Sequence, residues 1–336
     1  MTLTKSNGGQ VAKPRDGDVA TPSNGQASGD FWAITSYFNP LHYKRRLVNY
    51  RIFRDRLQIP LVTVELGYGP NFELGPGDAE ILVQQRGTAV LWQKERLLNI
   101  ALQALPASCR KVAWLDCDIF FDTVYWIEAA QSLLERFLLI QLFRQVHNLG
   151  RRWTTGEDFH SQTEYTRPSA AYMVGSGVPA AVCIGHQFDK RKGTCSPGFA
   201  WAARRELLEP HGFFDSCIVG GGDGAMTSAA YDCSDELMQR HHMNECQKQR
   251  YLSWAQPYYA SARGQIGFVD ADIYHLWHGD IELRRPRARH EGLRRFEFDP
   301  YRDIALDENF AWKWNSDKSE MHDYVRSYFA SRQEDG

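Results

Sequence analysis

Lys111-Val-Ala-Trp-Leu-Asp-Cys-Asp-Ile-Phe-Phe121 is the stretch from which the rest of the chain can be read. Strand-forming residues run straight into two carboxylates, Asp116 and Asp118, one residue apart, so the pair is expected where a buried strand reaches the surface. Open α/β sheets place their ligand sites at such strand ends. An isolated Asp-x-Asp is most often an ordinary strand cap, but apolar residues on both sides make two core-facing charges costly without a purpose. Hard divalent cations, Mn2+ or Mg2+, favour such oxygen ligands and keep positions open for phosphate oxygens. Cys117, between the carboxylates, is expected to point back toward the core.

Upstream, the pattern predicts a strand over 31–38 broken by Asn39-Pro40, then a basic helix over 43–57 with Leu47, Tyr50, Phe53, Arg54 and Leu57 at helical spacing. Strands over 61–66 and 81–83 follow, then a helix over 91–105 ended by Pro106, then the 112–115 strand. This βαβ-αβ alternation implies an α/β fold, a doubly wound and mostly parallel sheet flanked by helices, with right-handed crossovers. Downstream, the sequence predicts a helix over 126–136, a buried strand over 137–143, an apolar stretch over 198–203, a short helix over 204–208 stopped by Pro210 and Gly212, and one strand over 265–274. Residues 150–193 are polar, Gly-rich and aromatic, and read as long loops over the site. The domain reading is a disordered tail over 1–29, one domain over 30–300, and a C-terminal helical extension over 301–336 that packs on it.

The chain has 336 residues, 43% of them hydrophobic and 13% aromatic, enough for a substantial core. A net charge of -2 argues against a generic polyanion-binding protein while leaving room for a local basic groove. Six arginines over 284–295 (284, 285, 287, 289, 294 and 295) read by default as a solvated face, or else as a segment meeting a diphosphate or a polyanionic acceptor. Seven scattered cysteines without a C-x-x-C pair read as reduced thiols of a cytoplasmic protein. No run approaches the ~20 apolar residues of a membrane span, so the expectation is a cytoplasmic enzyme, free or bound at the periphery of a membrane.

Two further motifs carry chemistry. His275-Leu-Trp-His278 ends a strand and is followed by Gly279. An imidazole completes the shell of a cation already held by a carboxylate, and His278 is preferred as that ligand over His275 because the glycine after it permits close approach. Gly220-Gly-Gly-Asp-Gly224 brings backbone close to a ligand and aims Asp223, which is otherwise a helix N-cap. No Gly-Lys-Ser/Thr follows these glycines and no G-x-G-x-x-G opens the first strand, so neither phosphate-loop motif is present.

Taken in order, Thr35-Ser-Tyr37, Glu65, Trp92-Gln-Lys-Glu95 with Asn99, Trp114-Leu-Asp-Cys-Asp118, Gly198-Phe-Ala-Trp-Ala-Ala-Arg204, Gly221-Gly-Asp223 and His275-Leu-Trp-His278 resemble nucleotide-sugar-dependent glycosyltransferases of the GT-A fold, galactosyltransferase-like and of Asp-x-Asp type. The resemblance covers roughly 31–285. It implies a metal, Mn2+ or Mg2+, on Asp118 and His278 with Asp116 near metal or ribose, and Asp223 as the general base of an inverting transfer. It implies a nucleotide pocket at Thr35, Tyr37 and Glu65, with Arg86 or Lys94 adding charge at the diphosphate. Trp201 would stack on a sugar, or else is a core aromatic, and Gly221 and Gly222 would lie along the acceptor. Related enzymes often carry two acidic residues after the glycines, whereas Gly224 follows Asp223 here. The implied donor is a nucleotide-sugar, UDP-sugar favoured, and the acceptor a hydroxyl of a glycan, lipid-linked saccharide, protein or modified nucleic-acid base. Two other classes compete: a nucleotidyltransferase of similar sheet, which calls for a basic Gly-rich loop that 36–40 lacks, and a catalytically silent carbohydrate-binding domain, which has no need of Asp118, His278 and Asp223 together.

Overall fold

The computed structural model describes residues 29–185 and 195–336. The tail expected over 1–29 therefore lies, but for Gly29, outside the described residues, as does the end of the 150–193 stretch. In chain order the first half comprises β1 (Phe31–Phe38), α1 (Lys44–Arg56), β2 (Leu61–Gly67), β3 (Ile81–Arg86), α2 (Lys94–Ala104), β4 (Lys111–Leu115), β5 (Ile119–Phe121) and α3 (Tyr125–Leu134). Next come β6 (Leu139–Gln141), β7 (Gln145–Leu149), β8 (Thr163–Pro168), α4 (Ala170–Gly175), α5 (Ala180–Gly185), β9 (Ala200–Arg204), α6 (Arg205–His211) and α7 (Gly222–Ala230). The remainder is α8 (Ser234–Arg240), α9 (Glu245–Ala262), β10 (Ile266–Phe268), β11 (Asp272–His275), α10 (Ala288–Arg294), β12 (Ile304–Leu306), β13 (Trp312–Trp314) and α11 (Ser319–Ser331).

Seven strands form the central sheet in the order β10-β6-β9-β4-β1-β2-β3. All its pairings are parallel except those of β9, which runs antiparallel to β4 and β6. Alternation along β1 gives the sheet its two faces. Trp32, Ile34 and Phe38 join a core with residues of α2, α7, α9 and α11, while Phe31 and Ala33 join one with Phe53 of α1 and Trp126 of α3. The fold is thus α/β, a mostly parallel sheet flanked by helices.

Two expectations change. Residues 265–274 are not one strand. Val269 is fully buried and its N–H donates to Gln141 O (2.9 Å), so the chain turns there: β10 pairs with β6 in the large sheet, and β11 joins β5, β7 and β8 in a second one. Within 150–193, β8 pairs antiparallel with β7, and α4 is N-capped by the Ser169 side chain. That region reads as loop because β8 has no fully buried residue and each helix spans only six residues. The segment after 301 contributes Met321, Val325, Tyr328 and Phe329 to the larger core, where Phe329 meets Phe38 and Trp92.

Candidate active site

The acidic pair sits where β4 leaves the sheet. Asp116 N–H donates to Phe199 O (2.8 Å), and Asp118 O accepts from Leu276 N–H (2.8 Å). Antiparallel pairing of β5 with β11 sets His275 opposite Ile119, so residues distant in sequence share one strand end. Four residues on, Gly279 has φ 87°, and a Cβ there would overlap the carbonyl oxygen of Arg332. Here the glycine serves close approach, though of backbone and not of ligand.

Asp118 Oδ2 is 2.9 Å from His278 Nε2, Asp118 Oδ1 is 3.9 Å from His275 Nε2, and the two Nε2 atoms are 3.1 Å apart. One ligand atom from each of the three residues lies within 4.8 Å of the others. His275 Nδ1 faces Asn148 Oδ1 at 2.9 Å, and His278 Nδ1 faces Glu334 Oε1 at 3.6 Å. Asn148 Oδ1 favours a proton on His275 Nδ1, which leaves His275 Nε2 with a lone pair aimed toward His278 and Asp118. The three groups converge on one point, and Asp118 Oδ1 is buried without a hydrogen-bond partner. The residues present therefore fit a divalent metal. His275 is as well placed as His278. Burial holds it well below the ordinary histidine range despite Asp118, keeping the ring neutral and fit to ligate. Burial would raise Asp118, but His278 and His275 outweigh it and hold the carboxyl below the usual range.

Asp116 faces the other way. Lys94 Nζ contacts Asp116 Oδ1 and lies 2.9 Å from both oxygens of Asp223, bridging the two carboxylates. Burial opposes the charge on Lys94, but Asp116 and Asp223 more than offset it and hold the ammonium well above the usual lysine range. Burial pushes Asp116 up to about 7, Lys94 opposing and Asp223 reinforcing. Asp223 stands in the first turn of α7 after Gly220 (φ 82°) and Gly221 (φ 103°); Gly221 takes the N-cap position and Asp223 makes no cap. A Cβ at Gly198 would fall 2.9 Å from Asp223 Oδ2, and one at Gly222 would overlap the Glu95 carboxylate. Burial pushes Glu95 itself up to about 8, and its Oε1 is buried without a hydrogen-bond partner.

A cavity of about 240 Å³ joins these groups, lined by Asp116, Asp118, Asp223, His275, His278 and Gly221, and by Arg167, Arg284 and Arg289. Cys117 lines it too, while also packing against Tyr37, Tyr50 and Leu74. Thr35, Tyr37 and Glu65 do not line it. Thr35 Oγ1 donates to Leu115 O (2.7 Å), Tyr37 OH donates to Glu73 (2.5 Å), and Glu65 accepts from the N–H groups of Glu73 and Leu74 and from Gln84. Their neighbours Ser36 and Phe38 reach the cavity instead, because the strand period of two turns residues 35 and 37 to the other face. Arg86 donates to the carbonyls of Gly69 and Pro70 and covers Phe72, and so lies outside the cavity. Lys94 lines it but is held by two carboxylates and is not free for a diphosphate. Trp201 is 4% exposed, donates to Pro197 O (2.9 Å) and stacks on Trp114, so it is a core aromatic.

Three further residues complete the site, of which only Arg284 has a reading from the sequence. Glu334, fully buried, meets Arg46 (2.5 Å) and Arg332 (2.5 Å) as well as His278. Burial would raise it, but Arg46 and Arg332 hold it well below the usual carboxylate range. Arg167 of β8 and Arg284 border the cavity and make no ion pair among the described residues; Arg284 Nε is buried without a hydrogen-bond partner. Arg284 stood in the arginine run and was traceable from it, whereas Arg167 has no sequence signal.

No family model matches the chain, and no curated protein does. Among solved structures it is similar to glucosyl-3-phosphoglycerate synthase from Mycobacterium tuberculosis, in a complex with Mn2+, uridine diphosphate and glucosyl-3-phosphoglycerate, at 15% identity over 80% of both chains with a TM-score of 0.38. A mannosyltransferase from Pyrobaculum calidifontis in complex with GDP-mannose and Mn2+ matches at 15% identity over 95% of this chain and 78% of that one, with a TM-score of 0.37. A 4-diphosphocytidyl-2C-methyl-D-erythritol synthase from Anaerococcus prevotii matches at 10% identity over 72% and 86%, with a TM-score of 0.32. Likeness at this level assigns no activity, and the residues of the cavity carry that weight.

Proposed function

We propose that the protein is a metal-dependent glycosyltransferase that moves a sugar from a nucleoside-diphosphate donor, a UDP-sugar, to an acceptor hydroxyl with inversion. The observation that carries this reading is the convergence of Asp118, His275 and His278 within 4.8 Å in a cavity shared with Asp223 and with Arg167 and Arg284, which make no ion pair among the described residues. Asp118, His275 and His278 would hold the metal, and a donor set with two imidazoles favours Mn2+ over Mg2+. When bound, such a cation neutralises charge on a departing diphosphate. Arg167 and Arg284, beside those ligands, add two guanidiniums to the same developing charge. These two take the part that the resemblance implies for Arg86 or Lys94.

Asp223 accepts the proton of the acceptor hydroxyl as its oxygen bonds to the anomeric carbon and the bond from that carbon to the diphosphate breaks. A positioned base of this kind contributes about 10²–10⁴-fold. Lys94 fixes both oxygens of Asp223 and ties it to Asp116, setting the distance between base and metal ligands. Release of free nucleoside diphosphate from a panel of UDP- and GDP-sugars with Mn2+ tests the reading. Folded protein that neither binds nor turns over any donor in the presence of metal overturns it.

A further inference from the structure

The same cavity is lined by a second group of side chains, which lie against the Gly220-Gly221 turn. Arg289 and His290 of α10 and His241, which caps α8, line it there, with the two imidazoles stacked at 3.8 Å. The turn before Asp223 leaves room for them. A Cβ on Gly220 would fall 3.5 Å from Arg289 Nη1, and one on Gly221 would fall 2.7 Å from His241 Cε1 and 3.2 Å from His290 Cε1. Both glycines have positive φ, so the turn is built bare on the side that carries these groups.

Arg289 donates to Tyr328 OH (2.5 Å) and to His290 Nε2 (3.4 Å) and meets no carboxylate among the described residues. Those bonds use Nε and one N–H of Nη1, leaving the rest of the fork unassigned. Tyr328 also accepts from Arg332 (3.0 Å), so the guanidinium is held in place by the wall and not by an ion pair. A positioned cation without a counter-ion, beside a proton-accepting carboxylate, is a recognition element for an oxyanion.

On the reading proposed above, and resting on it, we infer that the acceptor carries an oxyanion, a phosphate or carboxylate, seated on Arg289 beside His241 and His290, with its hydroxyl at Asp223. The donor diphosphate belongs with Asp118, His275, His278, Arg167 and Arg284.

Glycerol 3-phosphate, with glycerol as the uncharged control, is the probe. Titrated calorimetrically at constant ionic strength into protein saturated with UDP and Mn2+, glycerol 3-phosphate is expected to bind and glycerol not. Arg289→Gln should weaken that binding by about 10- to 100-fold, the range for lost charge-assisted hydrogen bonds, with UDP affinity changed by less than about 2-fold. Arg289→Lys, which keeps the charge without the fork, should fall between, and thermal midpoints of both variants report whether they fold. Unchanged binding in folded Arg289→Gln, or competition between glycerol 3-phosphate and UDP, overturns the inference by giving the oxyanion to the donor. Failure of UDP and Mn2+ to bind wild-type protein sinks the glycosyltransferase reading instead. The same titration without nucleotide then decides the subsite: loss of binding in Arg289→Gln keeps it, and no loss removes it.

Discussion

Asp116 and Asp118 are one residue apart and chemically identical, yet they meet different partners in the cavity. Asp118 faces two imidazoles, which hold its carboxyl below the ordinary range against burial. Asp116 faces Lys94, with Asp223 as a second carboxylate on the same ammonium, and burial wins there. An extended backbone would send residues 116 and 118 to one face, but the chain turns between β4 and β5, so the two carboxylates reach two environments. On the proposed reading, the acidic pair therefore joins a cation site to a proton-accepting one.

Removing Asp118 tests this contrast most severely. Asp118→Ala is expected to abolish metal-dependent nucleotide binding and, with it, transfer; Asp116→Asn should retain most metal affinity, as metal titration followed by Mn2+ spectroscopy will read. Equal losses in the two variants would erase the distinction. Asp223→Asn, by contrast, should leave nucleotide binding nearly intact and slow transfer by about 10²–10⁴-fold, in single-turnover assays. Normal transfer would remove Asp223 as the base.

Glu334 supports the cation site from the segment after α11, and Glu334→Gln should weaken metal binding by about 10- to 100-fold, as loss of a ligand's outer partner does. It also leaves Arg46 and Arg332 without their shared counter-ion, so the same variant should melt earlier.

Acid titration probes the imidazoles. His241 and His290 are buried and held well below the ordinary histidine range, by burial first, then by Arg240 for His241 and by the His241 ring for His290. The folded state keeps them neutral while the unfolded chain takes up protons below about pH 6.5. Stability is therefore complete above that pH and falls beneath it, by at most about 1.4 kcal/mol per pH unit for each histidine, measured by urea unfolding between pH 7 and 5. A flat profile would mean that both rings are hydrated. Smallest of all, Thr35→Val should cost about 1 kcal/mol through its lost bond to Leu115 O and leave UDP affinity unchanged.

Much of this was legible in the sequence. The strand at 31–38 and the helices near 44–56 and 94–104 follow hydrophobic period and turn residues, which act locally. Asp116, Asp118, Asp223 and His278 stood out because charge beside apolar strand residues, or after glycines, is locally anomalous. Thr35, Tyr37 and Glu65 were drawn into a nucleotide pocket by resemblance, against the parity of their own strand. That parity is itself a sequence property, fixed once the cavity-facing side is known.

What the sequence by itself determined is the alternating α/β order, the apolar strands and the residue types a cation and a base require. Tertiary structure alone decided which of those residues meet. The pairing of β5 with β11 brings Asp118 to His275 and His278; the meeting of the first turns of α2 and α7 gives Lys94 to Asp223 as well as to Asp116; the segment after α11 carries Glu334 back to His278 and Arg46. Such contacts join positions tens to hundreds of residues apart, and no local period or propensity encodes them. They arise from burying two core faces on one sheet.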